Sequence, residues 1–235
     1  MISAVETYFE KEDILVPKKY LEIKEEFLIK QVELKVKEIT NLYYPNIKEL
    51  SDDMILNLNL PNIYSYQDLE NYFYNDLKYR LTEFYFYDQL LPYLFTFYAE
   101  TSQTIINQSE LLQFQNDYQK KVKKMAEISN MSFPDYVQVH LNLTGNPYDR
   151  INERAFEEFV FKLIANQRYE KNDYANLQDE YEAFISDRSL YLNVDPLDLK
   201  EQLSLSTFEQ DYPTIYFTQE LLDYYTPKFN YISKD

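Results

Sequence analysis

The chain contains one histidine, His140, and one glycine, Gly145, which lie close together in the sequence. A lone histidine in a chain without cysteine could bind zinc only with carboxylates as the remaining ligands, which is an uncommon set. A Ser–His–Asp triad remains open by composition, but a nucleophile elbow needs glycines around its serine, and this chain cannot supply them. We therefore expect His140 to be a partly exposed helix residue without a chemical role.

Adjacent acidic residues are the second candidate for chemistry. They occur at Asp52-Asp53 and at Glu157-Glu158. Carboxylate pairs hydrolyse glycosides when their surroundings give them different roles. In a chain with 40 Asp and Glu against 23 Lys and Arg, we expect such pairs at the solvated surface instead. Phosphate-binding loops and dinucleotide turns need several glycines, whereas this chain has one. We therefore predict no catalytic residues, no metal site, no cofactor and no enzymatic activity.

The formal net charge of −17 restricts the partners of this protein. Residues 1–50 contain 8 basic and 10 acidic residues, whereas the remaining 185 residues contain 15 and 30. Such a surface repels phosphate backbones, so we expect no nucleic-acid partner. No apolar stretch has the length of a membrane span, and the first residues, MISAVETYFEKED, do not read as a signal peptide. These features predict a cytoplasmic protein without a membrane partner.

The hydrophobic periodicity of the chain changes from strand-like near its start to helical further on. In the segment Phe27–Ile39, alternate positions are apolar, which is typical of a half-exposed strand. The apolar positions of one parity are Leu28, Val32, Leu34 and Val36. Ile14–Val16 suggests a shorter strand, and from Pro45 onward the periodicity is helical. We therefore predict a mainly α fold with a short β element at its start.

Helix caps place the histidine and the glycine. Asn107 and Glu110 have the spacing of a capping box, which predicts a helix from Ser109 to about residue 130. Ser132 and Asp135 open a second helix, which we expect to end near residue 144 and to include His140.

Gly145 then has a structural explanation. A helix that ends near Thr144 needs a left-handed residue after it, and glycine adopts that conformation without a Cβ clash. Asn146 is a good N-cap for the next helix, Pro147 fits its first turn, and Asp149 complements its dipole. We therefore predict a helix–turn–helix corner at this glycine.

The segment from Tyr66 to Tyr98 contains two apolar stripes on one helical wheel. The first stripe consists of Leu69, Phe73, Leu77, Leu81, Phe84, Leu91, Phe95 and Tyr98. The second consists of Tyr72, Tyr79, Phe86, Leu90, Tyr93 and Phe97. Such a helix is either buried from two sides, or buried on one side with a binding surface on the other. Pro92 can change the helical phase beyond it.

Several segments, in order and over about 200 residues, resemble the C-terminal chaperone module of bacterial trigger factor. The matching segments are Val36–Met54 (VKEITNLYYPNIKELSDDM), Tyr64–Leu81, Phe133–Gly145, Glu153–Ile185 and Val194–Leu203. The first of these looks like the exit from a strand. About forty residues before them resemble the end of an FKBP-like prolyl isomerase domain. The interval from Tyr136 to Gly145 is about one helical turn longer than in the family.

The resemblance implies a domain organisation. Residues 1–44 would be a short β-containing segment, and residues 45–235 a helical chaperone domain with a body and two protruding arms. The first arm would be residues 107–172 and the second residues 173–235. The ribosome-docking domain and most of the isomerase domain have no counterpart here. We therefore expect neither ribosome binding nor prolyl isomerase activity.

The resemblance also implies a function, namely ATP-independent holding of unfolded or nascent polypeptides in an aromatic-lined cradle. We predict that the second stripe contacts these clients, so that the client-binding residues are Tyr72, Tyr79, Phe86, Leu90, Tyr93 and Phe97. One alternative is a dedicated helical adaptor or assembly factor for a single protein partner. Another is a periplasmic or surface chaperone with the same two-armed architecture. The sequence leaves homo-oligomer formation open.

Overall fold

The structure is a computed structural model that describes residues 2–171, 177–192 and 194–233. The predicted mainly α fold is confirmed. The described helices are α1 (Glu25–Tyr43), α2 (Asp52–Asn57), α3 (Tyr66–Tyr85), α4 (Leu91–Thr101), α5 (Gln108–Ile128), α6 (Phe133–Val139), α7 (Pro147–Lys171), α8 (Leu177–Leu192), α9 (Pro196–Gln202) and α10 (Leu205–Tyr225). A π-helical turn, Phe86–Leu90, lies between α3 and α4.

Four short strands form two small sheets in the described part of the chain. The strands are β1 (Ala4–Thr7), β2 (Glu22–Lys24), β3 (Gln103–Ile105) and β4 (Asn230–Ile232). Strand β1 pairs antiparallel with β3, with Ala4 opposite Ile105. Strand β2 pairs parallel with β4, with Ile23 opposite Tyr231. Backbone hydrogen bonds thus join β1 and β2 to strands that lie far along the sequence.

The chain divides into two compact units, each built from two stretches of sequence. Unit 1 contains residues 1–14 and 93–221, and unit 2 contains residues 15–92 and 222–235. The predicted boundary at residue 44 does not separate the units, because α1 packs on α3 inside unit 2. The predicted second arm, residues 173–235, likewise includes residues of both units.

The predicted strand at Phe27–Ile39 is wrong, because these residues lie within α1. The buried residues of α1 are Leu28, Val32, Val36 and Thr40. A spacing of four residues fits one face of a helix and also falls on one parity of a strand, so the pattern satisfied both interpretations. Leu34 separates them, because it shares that parity and is 44% exposed. The predicted strand Ile14–Val16 is also wrong, since those residues have no regular structure.

The core of unit 2 forms where α1, α2 and α3 meet. Its buried members are Leu28, Val32, Val36, Leu50, Ile55, Ile63 and Leu69. Ser51 and Ser65 cap the two later helices, and their side chains accept hydrogen bonds from the backbone N–H groups of Met54 and Asp68. These local caps fix where α2 and α3 begin.

In unit 1, the predicted cap at Asn107 is confirmed. Its side chain accepts a hydrogen bond from the backbone N–H of Ser109 at 2.9 Å. Glu110 has a further partner, because its carboxylate accepts a hydrogen bond from the backbone N–H of Ser3 at 3.0 Å. The hydroxyl of Ser3 in turn accepts one from the backbone N–H of Asn107 at 2.8 Å. The start of α5 therefore also holds the N-terminal segment.

The corner around Gly145 is only partly as predicted. Ser132 caps α6 as expected, but α6 ends at Val139, so Gly145 does not terminate it. Gly145 still has a positive φ of 113°, in a turn closed by Arg150, whose Nε donates to the carbonyl of Thr144 at 2.9 Å. Asn146 accepts a hydrogen bond from the backbone N–H of Tyr148 at 3.0 Å, which confirms it as the cap of α7. The glycine is thus needed by the loop and not by the helix end.

Each predicted arm contains a hydrophobic cluster of its own. Helices α5, α6 and α7 contribute Val122, Val137 and Ile151 to one cluster. Helices α8 and α10 contribute Tyr181, Ile185, Phe208 and Tyr212 to another. The junction predicted at residues 172 and 173 lies outside the described residues. Whether these helices protrude from a body stays a prediction.

Candidate functional site

Helix α3 places two of the predicted client-binding residues at the surface. Tyr72 and Tyr79 are seven positions apart, so their side chains leave the helix within about 20° of each other. Tyr72 is 55% exposed and Tyr79 is 61% exposed. Another face of α3 packs into the core of unit 2 through the buried Leu69 and the partly buried Phe73 and Leu77. The same helix therefore has one packed face and one aromatic surface.

Tyr79 also forms one wall of a groove within unit 2, which we call the Tyr79 groove. It has a volume of about 240 Å³ and is lined by Tyr79, Glu83, Leu222, Asp223, Thr226 and Pro227. The apolar lining is provided by a tyrosine ring, a leucine and a proline, and two carboxyl groups border it. This arrangement can hold an apolar side chain and places negative charge beside it.

Phe86 and Leu90 are not at the surface, and this corrects the sequence prediction. Both have no exposed surface. They lie in the π-helical turn, in which the N–H of Leu91 donates to the carbonyl of Phe86, five residues earlier. A π-helical turn adds one residue to the helix and rotates everything after it. The helical wheel that defined the two stripes is therefore not valid beyond this turn. Phe86 itself keeps the phase of α3, because its N–H donates to the carbonyl of Thr82, and tertiary packing buries it.

Tyr93 and Phe97 follow in α4, in unit 1, where both are partly buried. The ring of Phe97 packs on Phe9 with a centroid distance of 5.7 Å and lies 6.3 Å from the ring of Tyr93. These contacts attach the N-terminal segment to α4, so packing accounts for both rings.

The first stripe is a mixture as well. Leu69, Leu91 and Tyr98 are buried as predicted, whereas Phe84 is 59% exposed. Phe84 leaves α3 about 140° away from Tyr79, so it lies on a different face of the helix. It therefore provides an exposed aromatic residue away from the Tyr79 groove.

His140 lies at the C-terminal end of α6 and is exposed. Its ring stacks on Tyr136 with a centroid distance of 4.8 Å. His140 thus has a packing contact on one side of its ring, and its exposure agrees with the sequence prediction. Among the residues that the structure describes, no group of three or more His, Cys, Asp or Glu residues could hold a metal ion.

The two acidic pairs differ from each other. Asp52 and Asp53 are exposed, as predicted. Glu157 and Glu158 are partly buried, and this expectation of a solvated pair is therefore wrong. Glu157 forms an ion pair with Arg154 at 3.1 Å. The carboxyl group of Glu158 instead accepts a hydrogen bond from the hydroxyl of Tyr118 on α5 at 2.6 Å.

Burial raises the pKa of Glu158 above its usual range, although the hydrogen bond from Tyr118 and the charges of Arg154 and Lys121 act against this effect. Burial also raises the pKa of Tyr118, and the neighbouring carboxylate of Glu158 raises it further. Both shifts follow from the removal of water around an ionisable group. The phenol therefore stays protonated and donates its hydrogen to the carboxyl group.

The pair lies in a cleft between α4, α5, α7 and α10 of unit 1, which we call the helix cleft. It has a volume of about 400 Å³. Its walls include Phe95, Phe114, Tyr118, Glu158, Phe161 and Ile215. Sequence reasoning missed this cleft, because its residues come from four distant segments. The available signals were the spacing of Phe114 and Tyr118, four residues apart on α5, and the apolar surroundings of Glu158 in α7.

No helix in the described part of the chain has the length and apolar character needed to cross a membrane. No protein-family model, curated protein or solved structure matches the chain significantly. The resemblance to trigger factor therefore rests on the sequence segments quoted above, and what it implies about function is a proposal.

Proposed function

We propose that this protein is an ATP-independent chaperone, a holdase that binds unfolded or nascent polypeptides through Tyr72, Tyr79 and the Tyr79 groove. The observation that carries the proposal is the exposure of both tyrosines, 55% and 61%, on one face of α3. The sequence resemblance to the trigger factor chaperone module supports the same function. We place the activity in the cytoplasm, and it requires no nucleotide, metal or cofactor.

Physical chemistry makes this surface suitable for unfolded chains. A tyrosine ring offers a large contact area at a low entropic cost, and its hydroxyl makes the ring compatible with water when no client is bound. Apolar contacts are not directional, so one surface can accept many sequences. The net charge of −17 opposes self-association of loaded complexes.

The second candidate function is that of an adaptor for one folded partner. The Tyr79 groove favours it, because a defined groove of about 240 Å³ can select one side chain. The two functions differ in breadth. A holdase suppresses the aggregation of unrelated clients, whereas an adaptor protects only its own partner.

The test is suppression of thermal aggregation of several unrelated client proteins, measured by light scattering without ATP at near-stoichiometric ratios. The wild-type protein is expected to suppress all of them, and the Tyr72→Ser/Tyr79→Ser variant is expected to suppress them much less. Phe84→Ser is the matched control, because Phe84 is equally exposed on another face of α3. Protection of none of the clients would reject the holdase, and equal protection by the double variant would reject this surface.

A further inference from the structure

Strand β4 is attached to unit 2 by a small number of backbone hydrogen bonds. It pairs with β2 over three residues, with Ile23 opposite Tyr231, and the backbone N–H of Asn230 donates to the carbonyl of Leu21 at 2.8 Å. The pairing is parallel, which is less stable per residue than antiparallel pairing. A two-stranded sheet is marginal by itself and needs packing against a helix to be stable. The attachment of β4 therefore depends on its side chains.

Tyr231 is the side chain that fixes β4 to α3. Its hydroxyl donates a hydrogen bond to the carbonyl of Lys78 at 2.8 Å and is hydrogen-bonded to the hydroxyl of Thr82 at 2.9 Å. The ammonium group of Lys78 lies 5.1 Å from the centre of the tyrosine ring. Ile23, the strand partner of Tyr231, has no exposed surface. Because paired residues point to the same face of a sheet, both side chains lie on the face that is turned to the core of unit 2.

Tyr231 lies beside the exposed aromatic face of α3. Thr82, which it contacts, and Tyr79 are three positions apart on this helix, so their side chains leave it within about 60° of each other. The strip of α3 under Tyr231 is therefore next to a tyrosine that we propose to bind clients. The residues shortly before β4 include Thr226 and Pro227, which line the Tyr79 groove. Displacement of β4 would uncover this strip and enlarge the apolar surface on the same side of α3.

We infer that β4 is a latch over the client surface. When it is closed, as in this structure, it covers the strip of α3 beside Tyr79, and when it opens, it exposes Ile23 and Tyr231 as additional apolar surface. This inference rests on the proposed function, because the covered strip adjoins the surface assigned to clients.

The latch couples this surface to the presence of a client. Local opening of a small sheet costs less free energy than global unfolding, because it breaks few contacts. A client that contacts the uncovered residues stabilises the open form, so client binding and latch opening favour each other. The latch therefore limits the apolar surface that the protein exposes when no client is bound.

A disulfide between the two strands tests the latch, since the chain has no cysteine of its own. Lys24 and Ile232 are paired in register and both are exposed, and neighbouring strands are about 4.8 Å apart, which suits a disulfide. Oxidation of the Lys24→Cys/Ile232→Cys variant holds the latch closed, and reduction of the same protein releases it. With a cysteine-free client, light scattering without ATP measures the protein concentration that gives half-maximal suppression of aggregation. Oxidation should raise this concentration about threefold or more, because the open form is no longer available.

The matched control is Ala4→Cys/Ile105→Cys, which joins β1 to β3 in unit 1. Its oxidised and reduced forms should suppress aggregation equally, and mass spectrometry verifies the disulfide in both variants. The absence of an effect of oxidation in the Lys24 and Ile232 pair, or an equal effect in both pairs, would overturn the latch.

Hydrogen exchange followed by mass spectrometry tests the opening without a client, and so separates the latch from the holdase. In the wild-type protein, the amides of β4 should exchange about tenfold faster or more than those in the middle of α3. Tyr231→Phe keeps the ring and removes the hydroxyl, so exchange at β4 should become about two- to tenfold faster still. Exchange at β4 as slow as in α3 would overturn the latch even if the protein suppresses aggregation. If neither cysteine variant nor the wild type suppresses aggregation, the holdase is rejected whatever the exchange rates, and the latch is rejected with it.

Discussion

At the scale of single residues, Glu157 and Glu158 are neighbours in the sequence with different surroundings. Glu157 pairs with Arg154 and accepts a hydrogen bond from the hydroxyl of Thr96 at 2.8 Å. Glu158 faces the helix cleft and Tyr118. A carboxylate in a poorly solvated site is disfavoured relative to its protonated form, which is why the pKa of Glu158 is raised. Because the pKa of Glu158 is raised, the contribution of this residue to stability depends on pH.

We predict that Glu158→Gln stabilises the protein at neutral pH and not under acidic conditions. The raised pKa means that the folded protein holds this proton more tightly than the unfolded chain does. The resulting stability is fully present below the ordinary pKa of 4.5 and is lost as the pH rises through the folded pKa. Glutamine keeps an acceptor for Tyr118 and never ionises, so its advantage appears only once Glu158 is charged.

Urea unfolding of both proteins at neutral and at acidic pH measures this difference. Glu153→Gln is the matched control, because Glu153 is exposed on the same helix. A Glu158→Gln variant that is less stable than the wild type at neutral pH would show that the cleft favours the charged carboxylate.

The predicted client-binding residues also differ in burial, and we therefore expect their substitutions to differ in their effect on stability. Phe86→Ala should lower the free energy of unfolding by about 3–5 kcal/mol, because a fully buried ring is removed. Tyr72→Ser and Tyr79→Ser should each change it by only about 0.5 kcal/mol, because both side chains are mainly exposed. Chemical denaturation of the three variants makes the comparison. A loss of several kcal/mol in either tyrosine variant would place that tyrosine in the core.

At the scale of elements, α1 shows that one apolar pattern can satisfy two periods. The positions of Leu28, Val32 and Val36 fit both a strand and a helix. The chain forms a helix because that geometry directs these residues, together with Thr40, toward α3. The π-helical turn sets a second limit on periodicity, since its added residue changes the helical phase of the residues that follow it.

A pair of leucine substitutions distinguishes helix from strand in α1. Leu28→Ala should destabilise the protein by about 2–5 kcal/mol, because Leu28 has no exposed surface. Leu34→Ala should change stability by about 0.5 kcal/mol or less, because Leu34 is 44% exposed and alanine favours helix. Thermal or urea unfolding gives both values. Comparable losses at the two positions would indicate that both face the core, as in a strand.

At the scale of the whole molecule, the negative charge is concentrated in unit 1, with 25 acidic and 12 basic residues, whereas unit 2 has 15 and 11. Favourable ion pairs offset part of the repulsion. Arg168 binds the carboxylates of Glu10 and Glu220, and Lys11 also pairs with Glu220. These pairs hold the N-terminal segment against α7 and α10 within unit 1, but they involve few of the acidic residues.

We therefore predict that added salt stabilises the protein. Raising sodium chloride from about 10 mM to about 0.5 M shortens the Debye length from about 30 Å to less than 10 Å, which screens repulsion between distant carboxylates more than it weakens close ion pairs. The melting temperature should rise over this range. An Arg168→Met variant, which lacks the ion pairs with Glu10 and Glu220, should show at least as large an increase. A fall in melting temperature of the wild type would mean that the ion pairs outweigh the repulsion.

The sequence by itself determined the mainly helical content, the start of α5 at Asn107, that of α6 at Ser132 and that of α7 at Asn146, and the acidic character of the chain. Caps could be predicted because each is a hydrogen bond between residues two or three positions apart. The acidic character could be predicted because the net charge follows from a count of ionisable residues. The positive φ of Gly145 was also predictable, although the helix end assigned to it was not.

Only the tertiary structure decided which aromatic residues are exposed, whether α1 is a helix, and that Glu158 is enclosed. Tyr79 and Phe86 lie seven residues apart and share one apolar stripe, yet one is 61% exposed and the other has no exposed surface. The helix cleft needs Phe95, Phe161 and Ile215, which are far apart in the sequence. Burial depends on which distant segments pack together, and local periodicity does not contain that information.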